Sequence, residues 1–158
     1  MGKTSIELLK RSDVFAGLSD EQLERVDALA ERVSVPEDAA IVEEDERGTR
    51  CYLLVSGRVE IEVRPPYGDR RPQKIATITA GQPFGELSLV DGFLRSATAR
   101  ALEPTELLAF ENKRLEQLMA DDPKIGYRVM RNLASLLAAR IRSTNMKLRN
   151  ALSDVFYY

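Results

Sequence analysis

The alternation of apolar and charged side chains in the central part of the chain is the strongest constraint on its fold. Val59, Ile61 and Val63 are separated by single charged residues, a period of two that is typical of a β-strand with one buried face. Short segments of this kind recur from residue 32 onward, and turn residues separate them: Pro36, Gly48, Gly57, Gly68 and Gly81. Many short strands between tight turns predict an antiparallel β-roll, or jelly-roll barrel.

Helical patterns flank this central segment. Ser19 and Gln22 have the spacing of a capping box and precede apolar residues at helical intervals. After the roll, Asn112 is a suitable cap for one helix, and Asp122-Pro123 is a suitable start for a longer one. A chain of 158 residues suits one domain, which we predict to be α+β and mainly β. Its expected parts are N-terminal helices over 1–31, the roll over 32–111 and C-terminal helices over 112–155.

The last helix carries a row of apolar and small residues at steps of three and four, close to the spacing of a coiled coil. The row comprises Met130, Leu133, Leu137, Ile141, Thr144, Leu148, Ala151 and Val155. We expect the first half of this helix to pack along its own roll. Beyond Ile141 the roll is expected to end, so the row also predicts pairing with a second copy of the chain. The tail Phe156-Tyr157-Tyr158 is expected to fray.

Composition argues against several classes of function. Lysine and arginine number 23 against 25 acidic residues, so no excess of positive charge favours DNA or an anionic membrane. The chain has no histidine, which disfavours a metal enzyme, and we predict no catalytic residues, no metal and no cofactor. A single cysteine, Cys51, and the lack of an apolar segment of membrane-spanning length predict a cytoplasmic protein with a reduced thiol.

The segment after the last strand of the central pattern suits a cyclic sugar phosphate. Gly85 permits a tight turn, and the short helix expected after Glu86 directs backbone N–H groups at an anion. The Arg95 guanidinium can form paired hydrogen bonds with phosphate oxygens, while the Glu86 carboxylate can accept one from a ribose hydroxyl. Ser96 and Ala97 are small enough to allow close approach of the phosphate. An alternative is that Glu86 and Arg95 pair with each other in an empty cavity.

This segment resembles the phosphate-binding cassette of the cyclic nucleotide-binding domain family, which includes the bacterial catabolite activator and the regulatory subunits of protein kinase A. The resemblance covers most of the chain, from Val14 through the helix after Pro123. Leu94 stands where the cassette pattern has a proline, and Asp45, which tolerates a left-handed turn, lies where the family has a glycine followed by an acid. Together, the resemblance and the pattern assign ligand contacts within the cassette, residues 84–98, to Phe84, Gly85, Glu86, Leu87, Ser88, Arg95, Ser96 and Ala97.

The remaining ligand contacts are expected outside the cassette. Ile61 and Ala76 are predicted to be apolar neighbours of the base. By resemblance, the last helix covers the base and forms a dimer interface, and the base-contacting candidates on it are Leu137, Arg140, Ile141 and Thr144. Arg140 and Ile141 are counted among the predicted site residues. Ser96 is compatible with cAMP or cGMP, and we favour cAMP because bacterial members of the family mostly use it.

The predicted function is therefore that of a regulatory sensor. A cyclic nucleotide binds the cassette, the C-terminal helix moves, and an effector protein in trans or the homodimer itself responds. No helix-turn-helix follows the long helix, so direct DNA binding is not expected. The alternative is a nucleotide-free roll that serves as a dimerisation or protein-interaction module.

Overall fold

The computed structural model describes residues 3–68 and 70–156, so the expectation for the tail at Tyr157 and Tyr158 falls outside the described residues. Helices α1 (Lys3–Arg11) and α2 (Asp20–Asp27) come first. The predicted capping box at the start of α2 is confirmed: the Gln22 N–H donates to Ser19 Oγ at 3.3 Å, and the Ser19 N–H donates to Gln22 Oε1 at 3.0 Å. These hydrogen bonds satisfy backbone donors at the start of α2.

The central segment forms two antiparallel sheets of four strands each in the described part of the chain. One sheet has the strand order β1-β8-β3-β6 and the other β2-β7-β4-β5, and this arrangement confirms the predicted roll. The strands are β1 (Glu31–Val35), β2 (Ala40–Val42), β3 (Arg50–Ser56), β4 (Val59–Val63), β5 (Gln73–Ile78), β6 (Pro83–Phe84), β7 (Thr98–Ala101) and β8 (Thr105–Glu111).

Two clusters of buried apolar side chains hold the layers together. The first joins the N-terminal helices and the C-terminal helices to one sheet, and it includes Leu23, Val26, Leu53, Phe110, Ile125 and Leu133. The second fills the roll between the sheets, and it comprises Val42, Leu54, Val59, Ile78, Phe84, Ala99 and Leu107. Phe84 also stacks on Tyr52, with ring centroids 5.1 Å apart. The end of β6 is therefore anchored in the core immediately before the predicted cassette.

Three helices complete the chain: α3 (Leu87–Asp91), α4 (Asn112–Asp121) and α5 (Pro123–Phe156). The Asp122 carboxylate accepts hydrogen bonds from the N–H groups of Lys124 and Ile125 at 3.1 and 3.3 Å, which agrees with the predicted start of α5. Asn112 does not cap α4 as predicted: Glu111 occupies the cap position and makes no side-chain cap, and the Asn112 side chain is buried in another contact described below.

The two halves of α5 differ in exposure. Ile125, Val129 and Leu133 are buried against the first cluster, as expected for the first half. Ile141 and Leu148 are 61% and 56% exposed. Residues 141–153 are all exposed, which agrees with the expectation that packing on the roll ends near Ile141. One contact reaches further, since Lys147 Nζ donates to the Ile75 carbonyl at 3.3 Å. Among the described helices, α5 included, none is long and apolar enough to cross a membrane.

Candidate functional site

A cavity of about 590 Å³ lies between one sheet of the roll, the predicted cassette and α5. Strands β4, β5 and β7 form its apolar wall, where Ile61 pairs in register with Ala76 on one side and Ala99 on the other. The cavity is lined by all but one of the twelve predicted site residues, namely Ile61, Ala76, Phe84, Gly85, Glu86, Leu87, Ser88, Arg95, Ser96, Ala97 and Arg140.

Ile141 is the predicted site residue that does not line the cavity. Successive residues of an α-helix are rotated by about 100°, so Ile141 points to one side of the face on which Arg140 lies. Thr144, one of the candidates for contact with a base, does line the cavity, as do Ser143 and Lys147. These residues lie three, four and seven positions after Arg140, which places them on one face of α5. Thr144 therefore belongs to this inner face. Ile141 and Leu148, the members of the apolar row that are exposed and do not line the cavity, are called the outer row below.

The turn at Gly85 requires glycine for two reasons. Its φ is +72°, in the left-handed region that residues with a Cβ atom rarely adopt. A Cβ atom there would also lie 2.7 Å from Arg95 Nη1. Because the chain reverses at this point, Glu86 follows directly with its side chain buried, and α3 begins at Leu87. The turn thus places the predicted carboxylate and the predicted arginine on the same side of the cavity.

Arg95 is 8% exposed, and protein atoms hold its guanidinium in place. Its Nη1 donates to the Gly85 carbonyl at 2.8 Å and to Ser88 Oγ at 3.1 Å, and its Nη2 donates to the Arg50 carbonyl at 2.6 Å. These bonds use three of the five N–H donors of the guanidinium. Within the described chain the other two have no acceptor, and Arg95 has no acidic partner. Arg95 is therefore a buried cation without a counter-ion in the described protein.

The loop before β3 also holds the backbone of Arg95. The Arg95 N–H donates to the Glu46 carbonyl at 2.7 Å, and the Arg95 carbonyl accepts from the Asp45 N–H at 2.9 Å. Asp45 has a φ of +67°, which confirms the left-handed turn expected there. Gly48 packs directly against the Arg95 side chain. A Cβ atom at position 48 would be 2.7 Å from Arg95 Cζ and 2.6 Å from Ser88 Oγ. The arginine therefore lies between two glycines, Gly48 and Gly85.

Glu86 is paired with α5 and not with Arg95. Its Oε1 accepts a hydrogen bond from Arg140 Nη1, and Arg140 Nη2 donates to the Pro83 carbonyl at 3.1 Å. The Glu86 side chain is 3% exposed and that of Arg140 is 39% exposed. The Oε2 atom of Glu86 is buried and has no partner among the described residues. The alternative in which Glu86 and Arg95 bridge each other is therefore wrong for this arrangement.

The Cys51 thiol lies near the site and is buried. Burial raises the pKa of the Cys51 thiol to about 12, and the nearby Glu86 carboxylate adds to the shift while Arg95 opposes it. Burial also raises the pKa of Tyr52, with Arg95 acting in the opposite direction.

No cluster of three or more metal-ligating side chains occurs within residues 3–68 and 70–156.

Sequence reasoning missed several residues of this site. Gly48 was interpreted as a turn residue, and its role in making room for Arg95 depends on a long-range contact that no local pattern reveals. Lys74 and Lys147 also line the cavity; the Lys74 ammonium pairs with Glu60 and that of Lys147 donates to the Ile75 carbonyl. The interval of seven residues between Arg140 and Lys147 is a signal that could have identified Lys147. No comparable signal marks Lys74, because exposed lysines on strands are common.

Comparison with known proteins identifies the family. The family model described as "Cyclic nucleotide-binding domain" matches residues 32–122, more than half of the chain. This chain belongs to the cyclic nucleotide-binding domain family. The match begins in β1 and ends just after α4, so in this cyclic nucleotide-binding domain it includes both sheets and the whole segment from Gly85 to Ala97.

Two bacterial regulators are similar to this domain over most of its length. The "Cyclic AMP receptor protein" of Thermus thermophilus is 34% identical over 140 residues, which cover 89% of this chain and 62% of that protein. The "CRP-like cAMP-activated global transcriptional regulator" of Mycobacterium tuberculosis is 28% identical over 151 residues, which cover 96% of this chain and 63% of that protein. This chain thus spans less than two thirds of the length of each regulator.

Solved structures confirm the fold. A cyclic nucleotide-binding domain from Methylobacillus flagellatus KT superimposes with a TM-score of 0.83 and 28% identity, covering 94% of this chain and 83% of that one. The Catabolite Activator Protein of Thermus thermophilus gives a TM-score of 0.77 and 33% identity, covering 90% of this chain and 63% of that one. The predicted family and the predicted β-roll with a long C-terminal helix are both confirmed.

Proposed function

We propose that this domain is a regulatory sensor that binds a cyclic nucleotide, cAMP before cGMP, in the cavity between its roll and α5. The observation that carries the proposal is Arg95, a buried cation with two unused N–H donors and no acidic partner in the described chain. Burying an unpaired charge is costly. A phosphodiester that accepts from these donors supplies the missing negative charge.

Glu86 is proposed to bind the ribose of the ligand. Its Oε2 atom is buried and has no partner within the described chain, and a buried acceptor without a donor costs about 1–3 kcal/mol. A ribose hydroxyl is a donor of the required kind. Arg140 can keep its contact with Oε1 while the hydroxyl binds Oε2, so ligand and helix share one carboxylate.

The base is proposed to lie against the apolar wall of Ile61 and Ala76, with the inner face of α5 above it. Thr144 is the candidate for recognition of the base, because its hydroxyl can both donate and accept and because it lines the cavity. This wall contains apolar and small side chains at Val42, Ile61, Ile78 and Ala99. It suits the flat face of a purine in either nucleotide.

The proposed output is a change in α5. Arg140 connects this helix to Glu86 in the cassette, so a ligand that alters the Glu86 contacts shifts the helix between positions. The exposed outer row at Ile141 and Leu148 is proposed as a homodimer contact. An effector protein acting in trans is proposed as a second partner that binds α5. We propose a regulatory, non-catalytic role in the cytoplasm, without direct DNA contact by these residues.

A second candidate function is a nucleotide-free interaction module. The observation that favours it is the Glu86–Arg140 ion pair, which satisfies one ligand-binding side chain without any ligand. In that case the outer row of α5 carries the function, and the response depends only on protein concentration.

Calorimetric titration with cAMP and cGMP tests the proposal. We expect saturable binding near one nucleotide per chain. Arg95→Ala should weaken it by about 10- to 100-fold, as expected for loss of a charge-assisted contact. Arg100→Ala is the matched control, because Arg100 lies on β7, pairs with Glu62 at 3.5 Å and is not a lining residue. Absence of binding by folded, nucleotide-free protein, or equal losses in both variants, would refute the assignment.

A further inference from the structure

A buried chain of hydrogen bonds leads from Arg95 to the start of α4. Ser88 Oγ accepts from Arg95 Nη1 at 3.1 Å and from Asn112 Nδ2 at 3.1 Å, and it donates to the Gly85 carbonyl at 3.0 Å. A hydroxyl has one donor and two acceptor sites. All three sites of the Ser88 hydroxyl are therefore occupied, and its orientation is fixed.

Asn112 holds this chain from outside the cavity. It is 6% exposed and is not among the lining residues. Its backbone N–H donates to the Thr49 carbonyl at 2.9 Å, while Arg95 Nη2 donates to the next carbonyl, that of Arg50, at 2.6 Å. Asn112 is thus connected to the Arg95 guanidinium in two ways: its side chain acts through Ser88, and its backbone N–H acts through adjacent peptide groups at the start of β3.

We propose that Asn112 is a positioning residue for Arg95, acting through the Ser88 hydroxyl. The inference rests on the proposed function, because it assigns Arg95 as the phosphate ligand. A guanidinium has many accessible rotamers, and ordering it during binding costs free energy. By fixing the Ser88 hydroxyl, Asn112 keeps Nη1 engaged with protein acceptors and leaves the other donors available for the ligand.

The buried Asn112 Oδ1 atom supports this role. It has no partner in the described part of the chain, so the amide is retained at a cost to stability. A residue that served only to begin α4 would not need a buried amide, since Glu111 holds the cap position without a side-chain bond. The Nδ2 donation to Ser88 is the contact that the amide provides.

A double-mutant cycle tests the proposal. Asn112→Ala should weaken cAMP binding by about 3- to 10-fold, as expected for loss of one hydrogen bond. In a Ser88→Ala background the same change should have less than about 1.5-fold effect, because the connection is already broken. Ser12→Ala is the matched stability control, since Ser12 is fully buried in the connection between α1 and α2, accepts from the Phe15 N–H and donates to the Leu9 carbonyl. Equal losses in both backgrounds, or no loss, would overturn the proposal.

A second readout is independent of nucleotide. Nitrogen-15 relaxation of Arg95 Nε in the ligand-free protein, assigned through Arg95→Lys, should show a rigid guanidinium in the wild type and in Ser12→Ala. In Asn112→Ala the same relaxation measurement should show a mobile guanidinium. An unchanged, rigid Nε in Asn112→Ala would overturn the inference whether or not the wild type binds cAMP. Failure of the wild type to bind either nucleotide, with the expected relaxation change present, would instead remove only the proposed ligand.

Discussion

Glu86 and Arg140 form an ion pair between the cassette and α5. They are 54 positions apart in the chain, yet Arg140 donates to a carboxylate oxygen of Glu86 and to the Pro83 carbonyl beside it. One residue begins the cassette and the other lies on α5. In the proposed sensor, a ligand hydroxyl that binds Oε2 of the same carboxylate would alter this contact and, through it, the position of the long helix.

Removing Arg140 should destabilise the ligand-free domain. Arg140→Ala leaves the buried Glu86 carboxylate without its charged partner, and we expect a loss of about 1–2 kcal/mol, discounted because Arg140 is partly exposed. Arg142→Ala is the control, since Arg142 is exposed on the opposite side of α5. Chemical denaturation of both variants measures the difference. Equal stability of the two would show that the ion pair contributes nothing.

Gly48 should be required for ligand binding although it makes no proposed ligand contact. Gly48→Ala places a Cβ atom 2.7 Å from Arg95 Cζ, so the guanidinium must shift. We expect cAMP binding to weaken by about 10-fold or more. Gly68→Ala is the control, because nothing lies within 4 Å of the added Cβ. Gly68 has a φ of +79° whereas Gly48 is not in the left-handed region, so backbone strain penalises the control more and a larger loss in Gly48→Ala is steric. Comparable calorimetric affinities for the two variants would argue against the steric account.

Thr144 should contribute to recognition of the base. Thr144→Ala removes a hydroxyl from the cavity lining, and the expected cost is about 3- to 10-fold in cAMP affinity. Ser135→Ala, on an exposed position of the same helix, should have no effect. Parallel titrations with cGMP would reveal whether the loss depends on the purine. An unchanged affinity for both nucleotides would assign the base contact elsewhere.

The outer row of α5 should mediate self-association. Leu148→Asp introduces a charge into the exposed apolar row, so a dimer that uses this row should dissociate. Met146 is equally exposed, at 59%, but lies off the row, and Met146→Asp should leave the dimer intact. Sedimentation equilibrium over a range of concentrations distinguishes the two. A wild type that stays monomeric at high concentration would contradict the dimer.

Cys51 should give the folded state a characteristic dependence on alkaline pH. Burial raises the pKa of its thiol to about 12, whereas the pKa of a cysteine in an unfolded chain is about 8.5. Above about pH 9 the unfolded chain therefore binds fewer protons than the native chain, and stability falls as pH rises, by up to about 1.4 kcal/mol per pH unit from this group. Cys51→Ala should lack this contribution. The measurement is the free energy of unfolding of the wild type and of Cys51→Ala at several pH values between about 9 and 10. Identical pH slopes for the two proteins would disprove the contribution of the thiol.

Local patterns predicted the roll because alternating side chains at Val59, Ile61 and Val63 report which face is buried. They also placed Glu86 and Arg95 together, since both flank a short helix behind a glycine turn. They could not predict that Glu86 pairs with Arg140, because that contact depends on where a long helix returns to the roll. Ile141 was misplaced for the same reason: periodicity defines the faces of a helix but not which face meets the cavity.

The two faces of α5 have a consequence for any quantitative study of this domain. Arg140 and Thr144 line the cavity, while Ile141 and Leu148 do not line it and are exposed to solvent. Binding free energies are linked reciprocally, so a partner that distinguishes between helix positions must change nucleotide affinity by the same factor by which nucleotide changes partner affinity. If the partner is a second copy, the apparent nucleotide affinity will vary with protein concentration, and a single dissociation constant will not describe the domain.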